Sequence, residues 1–170
     1  MHGTVATLPT LAYIGIGANL GDAQTNVDHA FAALAALPQT RLLECSALFR
    51  TTPVDADGDD YINAVACIET TLPAPELLAV LLATELAQGR LRTYRNAPRP
   101  LDLDILLYGQ ARIDTPALTI PHPRLTQRAF ALIPLLQIAP MISIPGLGPA
   151  HAFAPAVAGQ GICKVAVRGA

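Results

Sequence analysis

The sequence predicts an α+β fold, a ferredoxin-like β-α-β-β-α-β core with a C-terminal extension and with helices on both faces of a mainly antiparallel sheet. Three observations carry that prediction. β-prone runs and helical periodicities alternate in that order, with no internal repeat and no linker. The composition is 52% hydrophobic and 14% charged, richer in core formers than a typical soluble domain, which points to a sheet covered on both sides. A length of 170 residues suits one domain, taken as residues 1–170 with a flexible start over 1–10 and a weakly defined tail over 141–170.

The elements follow in order. Residues 11–17 (LAYIGIG) read as the first strand. Gly15, Gly17 and Gly21 make G-x-G-x-x-x-G, one residue longer than the dinucleotide fingerprint, and no acidic residue closes a following strand, so a tight turn entering a helix is preferred. Asp22 is placed to cap that helix, where Val27, Phe31 and Leu34 recur at helical spacing until Pro38. Residues 41–49 (RLLECSALF) read as one strand. The loop over 50–60 is rich in aspartate, but it lacks the ligand order and closing glutamate of a calcium loop and reads as solvated and mobile. Tyr61 and Asn63 open a third strand through Ile68; they are either ordinary edge residues or a stacking and amide pair for a planar heterocycle.

Pro75 starts a second helix with Leu77, Leu78, Leu81 and Leu82 on its apolar face. Residues 101–107 read as the central strand, and 112–120 as a further strand or pair. Pro121-His122-Pro123 breaks the chain, after which Thr126 is placed to cap a short helix through Phe130 and Leu132. Beyond Met141 proline and glycine interrupt everything, leaving a short helix near 155–158 and a weak strand near 162–167.

Charge and cysteine usage narrow the function. A net charge of −2 argues against nonspecific binding to a nucleic-acid backbone. No uncharged run reaches membrane length, and residues 1–10 lack the basic start and apolar core of a signal peptide. Cys45, Cys67 and Cys163 suggest neither a disulfide framework nor a zinc site, so a reducing cytoplasm is expected, with Cys45 and Cys67 as buried structural thiols. A monomer acting on small molecules, with neither nucleic acid nor membrane as partner, is expected.

The chemistry concentrates in residues 99–109 (RPLDLDILLYG). On a strand, Asp102 and Asp104 point to one face while Leu101, Leu103 and Ile105 point to the other. Two carboxylates so close repel unless cations sit beside them or one holds a proton, and Mg²⁺ is the usual hard cation for aspartate oxygens. Arg90, Arg92, Arg95 and Arg99 crowd just upstream, and Lys164 is the only lysine. Arginine forks beside such a pair suggest a polyphosphate ligand.

Taken with other blocks in the same order, this stretch resembles the 6-hydroxymethyl-7,8-dihydropterin pyrophosphokinases of folate biosynthesis. The other blocks are 12–21 (AYIGIGANLG), 49–54 (FRTTPV), 61–63 (YIN), 85–92 (ELAQGRLR) and 121–124 (PHPR) through Pro140. The resemblance implies transfer of a pyrophosphoryl group from ATP to the pterin's hydroxymethyl oxygen with release of AMP, on a ferredoxin-like fold. It makes Asp102 and Asp104 ligands of two Mg²⁺ ions that bridge the ATP phosphates. It assigns Arg90, Arg92 and Arg99 to phosphate clamping, and Glu85, Arg99, Ile105, Thr119, His122 and Arg128 to the nucleotide site. Thr51, Pro53, Val54, Tyr61, Asn63 and Phe130 match the pterin pocket.

Two departures stand out. Family members often carry a tryptophan in the loop before the matched Arg99, whereas this chain has none and places Asn96 and Ala97 there. Ala117 stands where some members have an arginine. Arg50, Arg112 and Arg124 read as surface arginines. The rival reading is a noncatalytic ferredoxin-like ligand-binding domain. A γ-phosphate kinase is unsupported, since no G-x-x-x-x-G-K-[ST] occurs.

Overall fold

The computed structural model describes residues 8–18, 22–51, 60–88 and 101–166. The expectations placed on Pro53, Val54, Arg90, Arg92, Arg95 and Arg99 lie outside the described residues. The core runs β1 (Thr10–Ala18), α1 (Ala23–Ala35), β2 (Thr40–Cys45), β3 (Phe49–Thr51), β4 (Tyr61–Thr70), α2 (Ala74–Gln88) and β5 (Asp102–Tyr108). The sheet is ordered β5-β1-β4, with β2 and β3 sharing the far side of β4, and all of these pairs are antiparallel. This is the expected β-α-β-β-α-β arrangement with its second strand in two pieces.

After the core come the pair β6 (Ile113–Asp114) and β7 (Thr119–Ile120), a 3₁₀ turn at Leu125–Gln127, and α3 (Ala129–Ile138). The tail adds the pair β8 (Ser143–Ile144) and β9 (Gly148–Pro149), a 3₁₀ turn at Ala150–Phe153, α4 (Ala154–Val157) and β10 (Ile162–Lys164). β10 pairs with β3 and so extends the sheet. No helix among the described residues is long and apolar enough to cross a membrane.

Period-two alternation in β1 separates two cores. Ala12, Ile14, Ile16 and Ala18 pack with Val27, Leu34, Leu77 and Leu81 beneath α1 and α2. On the other face, Val65, Leu106 and Leu107 pack with Leu125, Leu132, Leu135 and Val157 beneath α3 and α4. Tyr13 and Cys67 face each other there across the β1–β4 pairing. Burial, followed by the charge and hydrogen bond of Cys67, pushes the Tyr13 pKa up to about 12. Asp22 caps α1 as expected, accepting from the Thr25 amide at 3.2 Å and from the Thr25 hydroxyl at 2.6 Å.

Four expectations need correction. Residues 41–49 are not one strand, because Ser46 interrupts them. Its amide donates to the Val65 carbonyl at 2.8 Å, and its hydroxyl accepts from the Val65 amide at 2.9 Å. That hydroxyl replaces a strand carbonyl, so the chain leaves the ladder without stranding the Val65 amide. Cys45 is exposed, since β2 lies at the margin of the sheet, whereas Cys67 is buried.

Among the described residues β5 lies at the edge of the sheet and not at its centre. A bulge opposite Tyr13 and Ile14 turns both Leu106 and Leu107 toward α3, which fills both faces and gives the run its central-strand look. Along its outer edge the Leu103 amide donates to Glu85 Oε1 at 2.9 Å, and the Leu106 carbonyl accepts from the His122 amide at 3.0 Å. Finally, Thr126 does not cap α3 but lies inside the 3₁₀ turn. Arg128 holds the N-cap position with no side-chain bond of its own. The Ala129 amide is met instead by Gln160 Oε1 at 2.8 Å, from the tail.

Candidate active site

Residues directly paired across antiparallel strands share a face, so register alone builds the floor of the site. Asn63 of β4 lies opposite Gly17 of β1, and Gly17 lies opposite Asp102 of β5. Gly15 lies opposite Asp104. The middle strand of each row therefore carries no side chain, which lets the Asn63 amide approach over Gly17 and the Leu106 side chain over Gly15. A Cβ on Gly17 would stand 3.1 Å from Asn63 Oδ1, and one on Gly15 3.3 Å from Leu106 Cδ2.

Three walls rise from this floor and enclose a cavity of about 910 Å³, toward the upper end of the usual range for small-molecule sites. The first comprises Thr51, Tyr61 and Asn63. Asn63 Nδ2 donates to Thr51 Oγ1 at 2.8 Å, and both residues are buried at 5% and 7% exposure. The amide is thus held in one orientation.

The second wall is the start of α3, with Arg128 and Phe130. The Arg128 guanidinium carbon lies 5.3 Å from the centroid of the Phe130 ring, so cation and aromatic face form one unit. Pro134, inside α3, has no amide hydrogen to return to the Phe130 carbonyl, which weakens the first turns of the helix. Gln127 and the tail residues Gly159, Gln160 and Gly161 complete that side.

The third wall carries His122 and Arg124. His122 Nδ1 accepts from the Arg124 amide at 3.1 Å, which assigns the proton of the neutral ring to Nε2. Burial lowers the His122 pKa from its ordinary value; the Asp104 carboxylate opposes this, while Arg128 and Arg124 add to it. A neutral ring offers Nε2–H as a donor to an anion. The cavity thus joins a carboxylate pair, a cationic rim and an aromatic and amide pocket.

Of the described residues singled out from the sequence, Asp102, Asp104, His122, Arg128, Thr51, Tyr61, Asn63 and Phe130 all line this cavity. Glu85, Ile105 and Thr119 do not. Ile105 is buried in the core beneath α1 and α2, Glu85 binds the edge of β5, and Thr119 sits in β7 opposite Asp114. Sequence reasoning missed Gly15 and Gly17 as floor residues, having weighed them only as a dinucleotide turn. Arg124 is exposed yet borders the cavity, and its place two residues after His122 was the available signal. Gln127 and Gln160 carried no signal in the sequence.

Comparison with known proteins bears on the family and the fold. Residues 13–140 match the family model described as 7,8-dihydro-6-hydroxymethylpterin-pyrophosphokinase. A Pseudomonas aeruginosa 2-amino-4-hydroxy-6-hydroxymethyldihydropteridine pyrophosphokinase is 42% identical over 134 residues, which cover 78% of this chain and 83% of that protein. A Methylorubrum extorquens protein of the same name is 42% identical over 138 residues, covering 81% and 87%. Among solved structures, Plasmodium falciparum HPPK-DHPS wild type with SDX-DHP superposes with a TM-score of 0.70 at 12% identity. That superposition covers 90% of this chain and 45% of the other, and it speaks for the fold alone. The family model and the relatives, covering most of the chain at such identity, make it a member of the 7,8-dihydro-6-hydroxymethylpterin-pyrophosphokinase family.

Proposed function

We propose that the chain performs its family's reaction, pyrophosphoryl transfer from ATP to the hydroxymethyl group of 6-hydroxymethyl-7,8-dihydropterin in folate synthesis, with Mg²⁺ held by Asp102 and Asp104. The observation that carries this reading is one cavity that brings together the carboxylate pair, the cationic rim and the Thr51–Asn63 amide pocket.

The donor set fits Mg²⁺. Asp102 and Asp104 offer hard oxygens from one face of β5, and both line the cavity. Among the described residues no group of three or more His, Cys, Asp or Glu gathers as a metal cage. Two carboxylates, with phosphate and water oxygens completing the shell, are what Mg²⁺ commonly takes. When bound, such ions supply charge neutralisation and alignment of the ATP phosphates; the resemblance implies two.

The chain's own residues do the remainder. Arg128 and Arg124 border the phosphate side, where guanidinium forks hold the oxygens of bound ATP. His122 donates from Nε2 to the same anion. Asn63, fixed by Thr51, reads the edge of the pterin, while Tyr61 and Phe130 stack against its faces. Arg90, Arg92 and Arg99 are assigned to phosphate clamping from the sequence match. No residue is assigned as general base.

The test is product analysis with labelled ATP and the pterin. AMP and the pyrophosphorylated pterin are expected, with turnover that requires Mg²⁺. Asp102→Asn and Asp104→Asn should each lower kcat about 10³-fold or more. ADP as the sole nucleotide product, or metal-independent turnover, would refute the reading.

A further inference from the structure

We propose that Gln160, carried on the tail beyond the family match, is a positioning residue that holds the Arg128–Phe130 unit over the site. This inference rests on the functional reading above. Its side-chain amide spans the entrance of α3, accepting from the Ala129 amide at 2.8 Å through Oε1 and donating to the Gln127 carbonyl at 2.9 Å through Nε2. Ala129 lies between the two residues that form the second wall.

That entrance lacks its usual supports. Arg128, at the N-cap position, makes no side-chain cap bond. Pro134 removes the amide that would have bonded the Phe130 carbonyl four residues back. Gln160 supplies the missing restraint from 31 residues away, and the fold holds Gln160 in turn. On one side, Val157 of α4 is buried against α3. On the other, β10 pairs with β3, with Ile162 opposite Thr51. One short segment of tail therefore ties the α3 wall to the Thr51 wall, and Gly159 and Gly161 beside Gln160 let the backbone itself line the cavity.

The rigid groups of the floor, Asp102 and Asp104, stand on β5 and do not depend on this clamp. Loss of Gln160 should consequently weaken substrate binding while sparing the chemical step. Gln160→Met keeps the length of the side chain and removes both hydrogen bonds. Gln160→Glu keeps the acceptor for Ala129 and loses the donor to Gln127. In steady-state assays of AMP formation, Gln160→Met should raise KM for both pterin and ATP about 5- to 10-fold, with kcat within about twofold of wild type. Gln160→Glu, whose second carboxylate oxygen faces the Gln127 carbonyl with no proton to share, should raise KM for the pterin at least as much.

Wild-type KM values in folded Gln160→Met would overturn the proposal, as would a loss confined to kcat. Should Gln160→Met not fold, Gln160→Glu decides, since a raised pterin KM supports the clamp and wild-type values refute it. Absence of AMP formation by the wild-type chain would instead remove the functional reading on which the proposal rests.

Discussion

Replacing Thr51 by valine tests how the pterin side of the cavity is held. The side chains have similar shape and volume, so the change removes one acceptor and little else. Asn63 Nδ2 donates to that hydroxyl at 2.8 Å, and with exposures of 5% and 7% the pair is open only toward the cavity that it lines. Orphaning a buried donor costs about 1–3 kcal/mol. For a domain of this size about 2 kcal/mol corresponds to a fall in Tm of about 4–8 °C. The second consequence is functional. Asn63, no longer fixed, must be ordered when the pterin binds, at about 1 kcal/mol for one immobilised side chain, or about a fivefold loss of affinity. Thermal denaturation and equilibrium pterin binding report the two effects separately. An unchanged Tm together with unchanged pterin affinity would refute the claim that this bond presets the amide.

Two further outcomes follow from the same geometry. Gly17→Ala places a Cβ 3.1 Å from Asn63 Oδ1, so the amide must give by a few tenths of an ångström against its bond to Thr51. Pterin KM should rise about 3- to 10-fold, and a wild-type KM would show that the floor has slack. Tyr13, whose pKa is raised to about 12, stays neutral in the folded state after unfolded chains begin to ionise near pH 10. Its contribution to stability is complete below pH 10 and is lost as pH rises toward 12. The stability gap between wild type and Tyr13→Phe should therefore narrow across that interval in denaturant titrations, and a constant gap from pH 9 to 12 would contradict this.

Much of the site was legible because its logic is local. Period-two alternation placed Asp102 and Asp104 on one face, and Asn63 and Tyr61 share a face with each other for the same reason. What stayed hidden depends on partners far along the chain. The break at Ser46 is invisible in RLLECSALF, because it exists only through the bond of the serine hydroxyl to Val65 across the sheet. Thr126 looked like a cap by type and position, yet the entrance of α3 is restrained by a glutamine on the tail. The apolar run over 101–107 suggested a central strand because a bulge fills both faces of an edge strand, and bulges leave no sequence signature here.

The edge position of β5 bears on more than ligand chemistry. An unprotected border of a sheet in so apolar a chain is a template on which a second chain can assemble. Here the Leu103 amide is taken by Glu85, and the Leu106 carbonyl by the backbone of His122. Two residues that the resemblance of the sequence assigns to the nucleotide site thus blunt a self-association surface. A substitution at Glu85 that lowers activity would need its soluble, monodisperse fraction measured before the loss is credited to ATP affinity.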